Sequence, residues 1–172
     1  MARSVGIRTY GDTILRKKSE KVAEFGPELE PLFRRMKETM IEAKGVGLAA
    51  PQIGVSKQVA IVNPEPEDDA KLLKMVNPRI VTVSDDTERI EEGCLSVPGI
   101  RGEVVRALKI TVVYQDEDGK ERTVRAEGML ARIIQHEVDH LNGILFVDRL
   151  SFAKRSLIKG KLKDLADDGK EK

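Results

Sequence analysis

The sequence predicts an α+β fold, and three observations support this prediction. Apolar residues recur at helical spacing before residue 45 and again after residue 128. Between these two segments, apolar and polar residues alternate with the period of a half-buried strand. A third, amphipathic helix is expected near the C-terminus. Strands grouped in the middle of a chain with helices on both sides are typical of α+β proteins.

The first predicted helix covers about residues 28–43. Its apolar residues recur at helical spacing, at Leu29, Leu32, Phe33, Met36, Met40 and Ile41. Pro27 suits the start of a helix, and Gly45 stands where a C-terminal cap belongs. The GVGLAAPQIG stretch that follows is too rich in glycine and proline for us to expect regular structure.

The central part of the chain predicts a set of strands. The strand segments are Val59–Val62, Met75–Ser84, Leu108–Tyr114 and Glu121–Ala126. The second of these is expected to break at Asn77–Pro78. The last two are expected to form a hairpin, because Asp118-Gly119 between them is a strong turn signal.

The C-terminal part predicts two helices. From Gly128, apolar residues fit a largely buried helix that Gly143 ends. A basic amphipathic helix is expected at about 151–165, with a stripe of Ile158, Leu162 and Leu165 and a frayed tail at about 166–172. We expect residues 1–172 to form a single domain, since domains commonly run to about 100–200 residues.

Composition excludes several classes of protein. Hydrophobic residues make up 40% and charged residues 34% of the 172 residues, which argues against wholesale disorder. A formal charge of +1 and 3% aromatic residues argue against a nucleic-acid-binding protein defined by charge or base stacking. A single cysteine forms no internal disulfide, and the apolar stretches are too short for a membrane span. With no apolar signal-peptide core near the start, we expect a cytoplasmic enzyme or binding protein.

Both histidines of the chain lie in His136-Glu137-Val138-Asp139-His140. A spacing of four residues puts the two imidazoles on one face of a helix, where both can reach one metal ion. Glu137 points about 100° around the helix, beside such an ion, where it can take a proton from water. The alternative interpretation is a helix that carries two histidines without a metal.

The third ligand decides the kind of metal site. In the longer HExxHxxGxxH pattern of zinc peptidases the third histidine would stand at Phe146, and the only glutamate after His140 is Glu171. The sole thiol, Cys94, lies upstream among glycines and a proline and is a strong candidate ligand. The alternatives are a small buried hydrophobic residue or a cysteine nucleophile, and the latter would need a free histidine.

Three motifs together resemble the peptide deformylase family, in the bacterial type without large insertions. They are GVGLAAPQ at 45–52, EGCLS at 92–96 and QHEVDH at 135–140, and the resemblance covers about residues 5–150. It implies mixed or antiparallel β-sheets packed around a central helix that bears the HExxH motif, with one helix in the N-terminal half and one at the C-terminus. It also implies a hydrolase that removes the N-formyl group from the formyl-methionine of newly synthesised proteins and releases formate.

The resemblance also implies roles for individual residues. Cys94, His136 and His140 would hold one divalent metal, with Fe²⁺ expected as the native ion and Zn²⁺, Ni²⁺ or Co²⁺ able to replace it in preparations. Metal-bound hydroxide would attack the formyl carbon, with Glu137 as general acid and base. The side-chain amide of Gln52 and the backbone N–H of Leu95 would stabilise the oxyanion.

Substrate contacts are expected close to the same motifs. Gly45 and Gly47 would let a peptide strand approach the backbone; the alternative is that Gly45 caps the helix and Gly47 serves a turn, and both interpretations can hold together. Val46 and Ile133, with His136, are candidates for the wall of a methionine pocket. Arg101 is a candidate contact further along the peptide or a solvated surface arginine.

Other partners and rival functions follow from the same residues. The basic final helix resembles tails that contact the ribosome near the exit tunnel; the alternative is a solvated helix face. The rival functions are an HExxH metallopeptidase and a non-enzymatic protein with a structural metal. The second rival needs a fourth ligand and has no use for Glu137.

Overall fold

The computed structural model of the protein describes residues 6–170, and its seven strands are grouped between one helix and two others, as in an α+β fold. The helices are α1 (Glu30–Glu42), α2 (Gly128–Leu141) and α3 (Phe152–Lys170). The strands are β1 (Gly47–Ala49), β2 (Val59–Val62), β3 (Leu73–Val83), β4 (Thr87–Cys94), β5 (Val97–Ala107), β6 (Lys109–Gln115) and β7 (Glu121–Glu127). Within residues 6–170, none of the helices has the length and apolar character that crossing a membrane demands.

The strands form two antiparallel sheets, and α2 lies between them. The larger sheet has the order β1-β2-β3-β6-β7, and β4 and β5 form a separate hairpin. Phe33 and Met36 of α1 pack on one face of the large sheet, against Ile61 of β2. Ile134 of α2 packs on the other face, against Val62 of β2. Because both faces of β2 are covered, its four residues are all buried, and the expected fold with a central helix is confirmed.

The first predicted helix is confirmed, with a correction at its C-terminal end. A 3₁₀ turn at Pro27–Leu29 leads into α1. The left-handed residue after the helix is Lys44, with φ of 57°, and not Gly45. The N–H of Gly45 instead donates to the carbonyl of Met40 at 2.8 Å, which closes the helix end.

The strand β2 is confirmed with the predicted bounds, whereas the predicted break in the next strand is wrong. Strand β3 continues through Asn77 and Pro78, and its pairing with β6 shifts register there. Asn77 has a φ of 49°, and its side chain exchanges two hydrogen bonds of 2.9 Å with the backbone of Val22. A β-bulge of this kind accommodates a proline that lacks an N–H.

The β6–β7 hairpin is confirmed to within a residue or two at its ends, but the β4–β5 hairpin was missed. Half of the residues of β4 are exposed, and charged residues are interspersed along both strands, so neither has a strong apolar pattern. The GVGLAAPQIG stretch was also expected to be irregular. It contains β1 and a 3₁₀ turn at Ala50–Ile53.

The helix α2 is confirmed, and the predicted frayed tail is wrong as far as the described residues go. Gly143 follows α2 with a φ of 74°, as expected for a helix stop. Helix α3 continues to Lys170, and residues 171–172 lie outside the described part of the chain. Its last turns pack on the N-terminal segment, where the buried Gly169 lies against the carbonyl oxygen of Tyr10. This packing orders residues that the sequence alone predicts to be frayed.

Candidate metal centre

The predicted ligands lie together beside α2. Cys94 ends β4, and His136 and His140 lie one turn apart on α2. Their sulfur and ring nitrogen atoms all lie within 4.8 Å of one another, and Cys94 Sγ is 3.2 Å from His140 Nε2. Atoms bound to one ion at 2.0–2.3 Å lie about 3–4 Å apart. The donor set therefore fits a single divalent cation.

The turn that carries Cys94 directs backbone and side-chain donors at the sulfur. Cys94 pairs with Val97 across a two-residue turn. The N–H of Ser96 lies 3.4 Å from Sγ, and Gln52 Nε2 lies 3.7 Å from it. These contacts fix the position of the sulfur next to the two imidazoles, as a metal ligand requires.

The two imidazoles are prepared for metal binding in different ways. His136 places Nδ1 at 3.0 Å from Glu92 Oε1, so Nδ1–H can donate to the carboxylate and leave Nε2 for an ion. His140 is 1% exposed, and its Nδ1 has no partner within residues 6–170. Burial, together with the positive charge of Arg106, holds the pKa of His140 well below its ordinary value. His140 is therefore neutral, as a ligand must be.

A network of buried charged residues contacts His136 through its Nδ1 atom. Glu92 accepts from Arg106 at 2.8 and 2.9 Å and from Arg132 Nη1, and Arg106 also donates to Asp139 at 2.7 Å. Burial alone would raise the pKa of Glu92, but the hydrogen bonds from Arg106 and His136 outweigh it and hold that pKa far below its usual range. Glu92 is therefore an anion that fixes the ring orientation of His136.

Glu137 lies in the wall next to the cluster and is 4% exposed. Its Oε2 has no hydrogen-bond partner in the part of the chain that is described, and burial raises its pKa to about 7. A Cβ at Gly47 would lie 2.7 Å from Glu137 Oε1 and 2.9 Å from Ile133 Cγ2. Gly47 therefore makes room for Glu137 and Ile133, a constraint that the sequence analysis did not foresee.

A cleft of about 550 Å³ opens beside these groups. Ten of the eleven predicted site residues line it, namely Gly45, Val46, Gly47, Gln52, Cys94, Leu95, Arg101, Ile133, His136 and Glu137. His140 lies behind this lining and reaches Cys94 from within the core. Arg101 pairs with Glu91 at 3.2 Å at the exposed rim.

Gln52 is held in a fixed orientation above the sulfur. It is 1% exposed, and its Oε1 accepts from the N–H of Ala49 at 2.9 Å. Its Nε2 donates to Ser96 Oγ at 3.1 Å and faces Cys94. The amide N–H₂ of Gln52 is therefore directed into the centre.

Sequence reasoning missed several residues around the site. Met129 and Ile90 line the cleft, and Glu92, Arg106 and Asp139 form the charge network. Two of these residues could have been found from the sequence, because Glu92 starts the EGCLS motif and Asp139 lies between the two histidines. No sequence pattern identifies Arg106.

Phe146, which stands at the third histidine position of the longer peptidase pattern, packs against the site instead. It is 1% exposed, and its ring stacks on His136 with 6.3 Å between the ring centroids. A helix with two histidines, a buried glutamate and an upstream cysteine, without a downstream ligand at this position, defines a class: metal-dependent hydrolases with three protein ligands.

Comparison with known proteins identifies the family within this class. The family model for polypeptide deformylase matches residues 5–156. The peptide deformylase of Halothermothrix orenii is 49% identical over 144 residues, which cover 84% of this chain and 92% of that protein. That of Natranaerobius thermophilus is 47% identical over 83% of this chain and 90% of its own length.

Solved structures agree with this result. The peptide deformylase of Plasmodium falciparum matches with a TM-score of 0.92 and 38% identity over 96% of this chain and 97% of that chain. The enzyme of Synechococcus elongatus, solved in complex with actinonin, matches with a TM-score of 0.87 and 41% identity over 94% of this chain and 90% of that chain. The chain belongs to the polypeptide deformylase family. It is a metal-dependent hydrolase that removes the N-formyl group from the formyl-methionine of newly synthesised proteins and releases formate.

Proposed function

We propose that Cys94, His136 and His140 hold the catalytic cation and that Glu137 moves the proton during deformylation. The observation that carries this proposal is the mutual approach of one thiol and two imidazoles within 4.8 Å. Three protein ligands leave a coordination position open, as catalytic sites require, whereas structural sites are usually closed by four.

Glu137 is suited to accept a proton and to return it. The bound cation supplies Lewis-acid chemistry, since it lowers the pKa of water and polarises the formyl oxygen. The buried carboxylate of Glu137, with its pKa raised to about 7, takes a proton from the attacking water and delivers it to the departing amine nitrogen. Its Oε2 makes no hydrogen bond within residues 6–170 and is therefore free for this transfer.

Gln52 and Leu95 stabilise the negative charge that develops on the formyl oxygen. Gln52 Nε2 is already oriented by Ala49 and Ser96, so it does not need to reorganise during the reaction. The backbone N–H of Leu95 lies in the turn next to Cys94 and supplies a second donor. Donors fixed in advance typically contribute about 10²–10³-fold to turnover.

The cleft accommodates the peptide. Gly45 and Val46 lead into Gly47, the first residue of the edge strand β1, and an extended peptide can pair with the free backbone groups of this segment independently of its sequence. The methionine side chain packs against Val46 and Ile133. Arg101, 62% exposed at its side chain, contacts the peptide beyond the first residue.

The native ion in this proposal is Fe²⁺. A set of one thiolate and two imidazoles accepts iron, zinc, nickel or cobalt, and availability often decides between them. Metal analysis of protein purified without oxygen should find iron in about one equivalent. Exposure to air should lower both the iron content and the turnover, whereas a zinc-loaded preparation should tolerate air.

The location and the second partner follow from the substrate and from α3. Nascent formylated proteins arise in the cytoplasm, so we place the enzyme there. Between Phe152 and Lys163 the chain has five basic residues and no acidic one, and most of these basic side chains are exposed. The helix therefore offers a surface for the phosphates of ribosomal RNA near the exit tunnel.

The proton-transfer role is tested by Glu137→Gln. This variant should retain the cation, because Glu137 is not a ligand, and should release formate from a short formyl-Met peptide at least about 10²-fold more slowly. Glu121→Gln, an exposed glutamate of β7, serves as a matched control and should behave as the parent. Cys94→Ala should lose the cation itself.

Two results would contradict the proposal. The first is an equal loss of cation from Glu137→Gln and Cys94→Ala, which would make Glu137 a ligand. The second is full formate release by Glu137→Gln, which would assign the proton transfer to another group.

A further inference from the structure

Residues 8–10, which we call the N-terminal brace, cross the outside of the metal centre. The N–H of Arg8 donates to the carbonyl of Gln52 at 2.7 Å. The N–H of Tyr10 donates to the carbonyl of Ser96 at 2.8 Å. The brace thus joins the turn that carries Gln52 to the turn that follows Cys94.

The contacts form a closed ring. The donors alternate along the brace, which is the pattern that an extended chain presents on one side. The ring is completed between the two turns, where Gln52 Nε2 donates to Ser96 Oγ at 3.1 Å. Gln52 and Ser96 are 1% and 0% exposed, so their carbonyl groups have little access to water and depend on these donors.

The brace is itself anchored at both ends. At one end the guanidinium of Arg8 lies within hydrogen-bonding range of Asp12, at 3.4 Å, and over Gly54. At the other end, Gly169 of α3 lies so close that a Cβ there would overlap the carbonyl oxygen of Tyr10, so the backbones of Tyr10 and α3 are in close contact. The brace is therefore held by α3 on its outer side while its N–H groups face the site.

We propose that the backbone N–H groups of Arg8 and Tyr10 are positioning groups for deformylation, which set the orientation of Gln52 and of the Cys94–Ser96 turn toward the formyl group. This inference rests on the proposed role of Gln52. A displacement of about 1 Å at a reacting centre can cost about 10²-fold in rate, so a small release of these turns reduces turnover without affecting peptide binding.

Proline substitutions test the brace, because proline removes a backbone N–H. Arg8→Pro should lower kcat about tenfold with KM changed less than about twofold. Arg8→Ala keeps the N–H and removes only the side chain, whose contact with Asp12 is long and partly exposed, so it should lower kcat clearly less than Arg8→Pro does. Thr9→Pro is a second control, since the N–H of Thr9 makes no hydrogen bond within residues 6–170.

A double variant separates positioning from a general loss of structure. In a Gln52→Leu background the aligned amide is already gone, so adding Arg8→Pro should lower kcat by no more than about twofold. Equal losses in both backgrounds would overturn the proposal, as would equal kcat values for Arg8→Pro and Arg8→Ala. Failure of the proposed function is a different result, normal turnover by Gln52→Leu alone.

Hydrogen exchange on the unaltered enzyme keeps the proposal testable if Arg8→Pro does not fold. The amides of Arg8 and Tyr10 should exchange as slowly as those of Ala50, Gln52 and Ile53, because they belong to one ring of contacts. Rapid exchange of the two brace amides beside slow exchange at those three residues would overturn the proposal.

Discussion

The helices α2 and α3 follow one another in the chain but use their polar residues in opposite ways. In α2, eight of 14 residues are buried, and four of these are polar or charged: Arg132, Glu137, Asp139 and His140. In α3, only Ile158 and Gly169 of 19 residues are buried. The difference shows that, in this protein, charged residues of a helix take part in the candidate metal centre only where a second layer of structure buries them.

The second layer over α2 is the β4–β5 hairpin. Arg106 of β5 and Glu92 of β4 face α2 and pair with its residues. No hairpin covers the basic residues of α3, and no ion pair within residues 6–170 involves them. The charges between α2 and the hairpin are buried, so the loss of one leaves its partners with less compensation. The charges on α3 are exposed, and solvent screens them.

The largest expected effect comes from breaking the buried network. Arg106→Met removes the partner shared by Glu92 and Asp139 and leaves each carboxylate with fewer charged partners, Arg132 for Glu92 and Arg149 for Asp139, so it should lower the free energy of unfolding by about 3 kcal/mol. Urea denaturation measures this change. Cation dissociation should also become faster, because Glu92 loses its two contacts with Arg106 and holds the ring of His136 less firmly.

The exposed pair on the same hairpin provides the control. Arg89 and Glu103 lie 3.9 Å apart with both side chains 67% exposed, so Arg89→Met should change stability by less than about 0.5 kcal/mol. Similar losses for the two variants would mean that the covering layer does not decide the role of a charge in this protein.

Some features of α2 and of its covering layer could be predicted from the sequence, and others could not. The spacing of His136 and His140 is local, because a helix of fixed pitch puts residues four apart on one face. The lone thiol and the missing downstream ligand then pointed to Cys94. The β4–β5 hairpin was missed, because its outer side faces solvent and its inner side mixes buried apolar residues with the charged Glu92 and Arg106, which weakens the apolar alternation.

Long-range packing also decided features that no local pattern encodes. Arg106 lies 33 positions before its partner Asp139, so only the fold brings the two together. From the sequence, Gly47 was expected to admit a peptide or to serve a turn. Its contact with Glu137 exists only because α2 packs on β1. The extension of α3 to Lys170 depends likewise on its contact with Tyr10.

An intermediate effect is expected from two glycines of α3. Gly160 has nothing within 4 Å of a Cβ, so Gly160→Ala should stabilise the protein by about 0.5–1 kcal/mol through helix propensity. Gly169→Ala introduces a Cβ against the carbonyl oxygen of Tyr10, and the resulting overlap should destabilise the protein by about 1 kcal/mol. Thermal unfolding of the two variants compares them directly. Equal stabilisation by both would show that the end of α3 does not pack on the N-terminal segment.

The smallest effect on the enzyme itself is expected from the exposed charges of α3. Changing Lys154, Arg155 and Lys159 together to glutamate should leave kcat and KM for a short formyl-Met peptide within about twofold, because these side chains lie outside the cleft. Binding to ribosomes should be lost, and the parent's binding should weaken as salt rises.

A charge-matched control separates a local contact from general electrostatic attraction. Lys17, Lys18 and Lys21 are exposed in the N-terminal segment, and their change to glutamate alters the net charge by the same amount. If α3 forms the contact, this second variant should retain most ribosome binding, measured by cosedimentation at several salt concentrations. Equal losses in both variants would attribute the attraction to net charge, and unchanged binding in both would leave the basic face of α3 simply solvated, in full contrast to α2.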